Sequence, residues 1–111
     1  MTEVAQETQE TIERLQGIEQ TMQALLGQKQ QFQSQLIELE SALTELESAP
    51  KAYKIVGGIM VEAAPEALKA EVSSKKDIMM MRIGSIEKQE KMLKEKAKAL
   101  QEDVMQTMKK R

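Results

Sequence analysis

Apolar residues recur every three and four positions through the first 48 residues, without a slip in register. Counted in sevens, Met1, Thr8, Leu15, Met22, Lys29, Leu36 and Leu43 share one seam position. Val4, Thr11, Ile18, Leu25, Phe32, Leu39 and Leu46 share the other. Eleven of these fourteen are apolar, which predicts a coiled-coil helix over 1–48. Gly17 and Gly27 point away from the seam, and Pro50 stops the helix, since the residue before a proline avoids helical backbone. A second periodic stretch, 65–110, has its own seam of Val72, Met79, Ile83, Ile86, Leu93, Ala97, Leu100 and Val104, interrupted by Lys76, Glu90 and Thr107. Pro65 suits a first helical turn, where its missing N–H costs nothing. Gly84 points outward, and Glu87/Lys91, Glu90/Lys94 and Glu102/Gln106 form i,i+4 neighbours on a solvated face. Each helix is expected to be about 65–70 Å long.

Between the helices the period changes from seven to two. In AYKIVGGIMVEAAP, residues 52–65, Gly57-Gly58 is a two-residue turn signal between two short β-branched runs. The predicted cross-strand pairs are Val56/Ile59, Ile55/Met60, Lys54/Val61 and Tyr53/Glu62. One face then carries Tyr53, Ile55 and Met60, and the other Val56, Ile59 and Val61. Both faces are apolar, and a two-stranded hairpin is barely stable alone. Its own helices cannot cover two faces and two edges, so other chains are expected to do so. The residues Tyr53, Ile55, Val56, Gly57, Gly58, Ile59, Met60 and Val61 are therefore the candidate oligomer interface. A helix–helix connection that happens to be apolar is the plainer alternative, but such connections are usually 2–8 residues and polar.

The fold class is mainly α, an antiparallel two-helix coiled coil with one central β-hairpin, in one domain covering residues 1–111. Charge supports the folding back. Residues 1–48 hold nine Glu against Arg14 and Lys29, a net of −7, whereas 66–111 hold twelve Lys/Arg against eight Asp/Glu, a net of +4. Opposite charges favour one helix lying on the other over like-with-like pairing, though salt weakens the effect. Lys29 and Glu90 interrupt the two seams at similar distances from the hairpin, and they are predicted to meet. Such a pair sets register more than it adds stability.

Composition narrows the chemistry. The aromatics are Phe32 and Tyr53, too few for a bulky compact core, and cysteine and histidine are absent. Thiol and imidazole chemistry are excluded, and a zinc site would need carboxylates alone. No metal or other cofactor is expected. Ser73, Ser74 and Ser85 have no base in a recognised arrangement, and Val56-Gly57-Gly58-Ile59 lacks the GxxxxGK[ST] phosphate-loop pattern. Enzymatic activity is not expected. The lysines of the second helix are interleaved with Glu87, Glu90, Glu95 and Glu102 and have no aromatic stacking partners, which argues against nucleic acid. The acidic N-terminal stretch does not read as a signal peptide, and no apolar run approaches the roughly 20 residues of a membrane span. A cytoplasmic protein without membrane contact is expected.

A Glu/Gln/Leu-rich helix, then Tyr53-Lys54-Ile55-Val56-Gly57-Gly58-Ile59-Met60-Val61-Glu62, then a Lys-rich helix with Glu87-Lys88-Gln89-Glu90, resembles the archaeal-type prefoldin beta subunits. The single hairpin is the discriminating feature, because alpha-type subunits of that family carry two. The resemblance implies an ATP-independent holdase, a hetero-hexamer of two alpha and four beta subunits. It implies a double β-barrel platform built from hairpins and coiled coils around a cavity. It also implies partners: prefoldin alpha subunits, unfolded polypeptide clients held at the coiled-coil tips, and a group II chaperonin that receives them.

In an antiparallel pair those tips combine both chain termini. The residues there permit client binding: Met1 and Val4 are separated by a seam thinned at Thr8 and Thr11, and Val104, Met105 and Met108 lie at the other end. Methionine adapts to irregular partners. Ordinary fraying of a coil end is the competing reading. Met79-Met80-Met81 cannot all face one partner, since three helical residues turn through about 200°. Met80 or Met81 must lie off the seam and is expected to pack beneath the platform, with a ligand site as the alternative. Lys109-Lys110-Arg111 reads first as a solvated helix end complementing the dipole, and second as a contact for an acidic chaperonin surface. The alternative function is a structural coiled-coil adaptor that oligomerises through its hairpin and tethers folded partners.

Overall fold

The computed structural model describes residues 2–109, with Thr2 and Val4 described as backbone only. Met1, Lys110 and Arg111, and with them part of the expected tip and basic tail, lie outside the described residues. The order of elements is α1 (Thr2–Ser48), β1 (Ala52–Val56), β2 (Ile59–Ala63) and α2 (Pro65–Lys109). The chain divides into two compact units, residues up to Lys29 with those from Ser85, and Gln30–Gly84.

Proline sets the inner ends of both helices. α1 stops two residues before Pro50, and α2 begins at Pro65, with Leu68 N donating to Ala64 O at 3.1 Å. The Ala64 carbonyl thus accepts the first helical bond while Pro65 loses nothing. Glu66 in the first turn of α2 and Lys109 in its last turn both complement the helix dipole.

The seam predicted from the heptads is the face that becomes covered. In the terminal unit, Ile18, Leu25 and Ile86 are buried, and Leu15, Met22, Leu93, Ala97, Leu100 and Val104 are half-buried. In Gln30–Gly84, Ile83 is buried, while Phe32, Leu36, Leu39, Leu43, Leu46, Val72, Lys76 and Met79 are half-buried. Threonine is tolerated in the seam because its hydroxyl has a local acceptor. Thr11 Oγ1 donates to Glu7 O and Thr107 Oγ1 to Asp103 O, each at 2.9 Å.

Lys29 and Glu90 meet as expected, with Nζ 2.8 Å from Oε1 and side chains only 19% and 18% exposed. The hydrogen bond to Glu90 raises the Lys29 ammonium above its ordinary 10.5. Partial desolvation opposes the rise, and the charges of Glu90 and Glu87 add to it. Glu90 is therefore engaged across the seam. Neither Glu87/Lys91 nor Glu90/Lys94 forms an ion pair among the described residues. These neighbours stay on the solvated face, where exposed pairs are worth little, and for Glu90 the tertiary partner wins. Local pairs do form nearer the hairpin, Lys69–Glu66 at 3.4 Å and Lys75–Glu71 at 3.9 Å.

Candidate functional site: the exposed hairpin and the helix ends

Two glycines make the hairpin possible. Gly57 and Gly58 sit at φ +56° and +80°, the left-handed pair of a type I′ turn, whose twist matches that of the strands it joins. No non-glycine residue among those described has positive φ. The register is antiparallel with Val56 opposite Ile59, Ile55 opposite Met60, Lys54 opposite Val61, Tyr53 opposite Glu62 and Ala52 opposite Ala63. The four predicted pairs all form, and Ala52/Ala63 adds a fifth.

Opposed residues share a face, so Tyr53, Ile55 and Met60 lie together, and Val56, Ile59 and Val61 lie together on the reverse. Every one of these six side chains is exposed, with Ile55 at 74%, Met60 at 68% and Ile59 at 67%. Among the described residues the sheet has two strands, so each keeps an outer edge of unpaired backbone groups. At the root of the hairpin, Ala52 and Leu68 are buried. Lys54 Nζ reaches Glu71 of α2 at 3.9 Å, a long pair on half-exposed side chains.

Beside the root lies a groove of about 660 Å³ lined by Leu46, Ala49, Ala52, Leu68, Val72 and one edge of the hairpin. Leu68 and the groove were not anticipated from the sequence. The available signal was the spacing, since Leu68 precedes the seam residue Val72 by four. Met79 is half-buried as its seam position requires, while Met80 and Met81 are exposed, so neither packs within its own unit. Phe32 carries Arg82 above its ring, 5.8 Å from the centroid, a cation–π contact that heptad reasoning does not reveal.

Of the five expected tip residues, Val104 is half-buried on the seam, and Met105 and Met108 are exposed. Val4 lies in α1. Exposed methionines beside a seam containing Thr8, Thr11 and Thr107 leave adaptable apolar surface at the C-terminal end of α2. No helix among the described residues is long and apolar enough to cross a membrane.

Comparison with known proteins gives the same architecture. The family profile described as "Prefoldin subunit" matches residues 9–111. The prefoldin subunit beta of Methanospirillum hungatei is 35% identical over 94% of this chain and 89% of its own length. That of Thermococcus kodakarensis is 34% identical over 90% and 88%. The crystal structure of the prefoldin beta subunit from Thermococcus strain KS-1 superposes with a TM-score of 0.85 at 33% identity, covering 90% of each chain. The family match over most of the chain, with likeness to these proteins over nine-tenths of the sequence, means that the chain belongs to the prefoldin chaperone family, in its beta-subunit class.

Proposed function

We propose that this chain is a subunit of an ATP-independent holdase that keeps unfolded polypeptides from aggregating and passes them to a group II chaperonin in the cytoplasm. The observation that carries the reading is the hairpin, six large apolar side chains exposed on two faces with both edges open. Fully burying one such side chain is worth about 1.5–3 kcal/mol, so several together favour association even after its entropic cost. The partners are alpha-type and further beta-type subunits, two and four in number, whose hairpins close a double barrel with Tyr53, Ile55, Val56, Gly57, Gly58, Ile59, Met60 and Val61 at the contacts. A closed barrel leaves no free edge. Each chain acts as one prefoldin-like domain within it.

Clients bind at the helix ends, through Met1, Val4, Val104, Met105 and Met108. Flexible, weakly directional methionine surface suits partners that share no sequence. The test uses the chain assembled with its alpha-type partner, mixed with several unrelated chemically unfolded proteins and followed by light scattering. A holdase suppresses the aggregation of all of them without ATP. A structural adaptor for folded partners suppresses none, and that result overturns the reading.

A further inference from the structure

The terminal unit contains a weak layer in its seam. One heptad outward from Lys29 and Glu90, Met22 and Ala97 occupy equivalent positions, so the smallest apolar side chain in the seam of α2 stands where a large one would fill the layer. A groove of about 480 Å³ opens there, floored by Leu15, Met22 and Ala97. Glu19 and Leu26, one heptad apart, also line it, and Leu26 is exposed. The charged residues lining it are Glu19 and Glu90, both carboxylates. Glu90 is held by Lys29, while Glu19 forms no ion pair among the described residues. The opposite flank of the same unit has the reverse polarity, with a groove lined by Arg14 and Lys96 and no carboxylate.

From this asymmetry we propose that the Met22–Ala97 groove is a binding site for apolar polypeptide segments that carry lysine or arginine next to their apolar residues. The segment's aliphatic side chains fill the space that Ala97 leaves, against Leu15, Met22 and Leu26. Its cation pairs with Glu19. The proposal rests on the holdase reading and extends it, adding a charge-selective contact in the seam to the methionine surface at the helix ends. Clients rich in both apolar and basic residues are held longer than equally apolar acidic ones.

The test is fluorescence anisotropy on the assembled protein, using two labelled peptides with the same Leu/Val core, one flanked by lysines and the other by glutamates. The lysine-flanked peptide is expected to bind about five-fold tighter at low salt, the upper range for one exposed ion pair. About 1 M salt removes the difference. Ala97→Leu fills the groove, so it weakens both peptides while leaving the thermal midpoint equal or higher. Glu19→Lys, on the exposed surface, reverses the preference. Equal binding of the two peptides, or indifference to both substitutions, overturns the groove assignment if the protein still suppresses aggregation. Failure to bind either peptide together with failure to suppress aggregation overturns the holdase reading itself.

Discussion

The same substitution, glycine to alanine, has opposite consequences at two kinds of position in this chain. At Gly57 the backbone is left-handed with open space around it, so an added Cβ meets no atom but strains the turn by about 1–2 kcal/mol. At Gly27 and Gly84 the backbone is helical and the space again open, so alanine stabilises by about 0.5–1 kcal/mol. Amide hydrogen exchange separates the two effects. Gly57→Ala speeds exchange across residues 52–63, whereas Gly27→Ala and Gly84→Ala slow it in the neighbouring helical turns. The Lys29–Glu90 pair gives a residue-scale prediction of a different kind. Lys29 titrates higher when folded, so its contribution is fully present below about 10.5 and is lost as pH rises through the raised value. Thermal midpoints measured through that alkaline range are expected to fall more steeply for the wild type than for Lys29→Met. This pair was legible in the sequence because two charges interrupt two otherwise apolar seams at matching positions. Arg82 above Phe32 was not, because a cation–π contact depends on which rotamer a long exposed side chain adopts.

At the scale of elements, the helices and the hairpin were readable for separate reasons. Seven-residue periodicity ran through Leu15, Ile18, Met22 and Leu25 without a break, and the same residues are covered in the structure. The hairpin register followed from a turn that only a Gly-Gly pair makes easily, which aligns Val56 with Ile59 and so every pair beyond. The attachment of the hairpin was not readable. It depends on Leu68, a residue ahead of the clear seam, and on Ala52, the two residues buried at the root. Leu68→Ala is expected to cost about 2 kcal/mol, the low end for a buried leucine because the adjoining groove is already open. Hydrogen exchange in β1 and the first turn of α2 would then rise together, while the Gly57-Gly58 turn keeps its own pairing. Surface ion pairs were the least readable of all. Glu87/Lys91 has the right spacing and does not form, because solvated charges gain too little to hold two flexible side chains in place.

For the whole molecule, the acidic α1 and the more basic α2 favour folding of one chain on itself, while the exposed hairpin is proposed to favour joining with others. These preferences act on different residues and can be separated by mutation. Replacing Met105 and Met108 together by serine is expected to weaken client holding several-fold, seen as faster aggregation in light scattering, with the particle mass unchanged. Both side chains are exposed and distant in sequence from the hairpin, so their loss is expected to leave the proposed assembly intact. What the sequence could not display was the depth of the Met22–Ala97 layer, since a heptad marks Ala97 as apolar without saying how much of the layer it fills. Native mass spectrometry of the chain mixed with its alpha-type partner tests the central claim most directly, comparing wild type with Val56→Lys/Ile59→Lys. The account predicts a hetero-hexamer for the wild type and separate chains for the double variant, because lysine at those positions would bury unpaired charge in the proposed barrel. Full-mass particles from the double variant would contradict it.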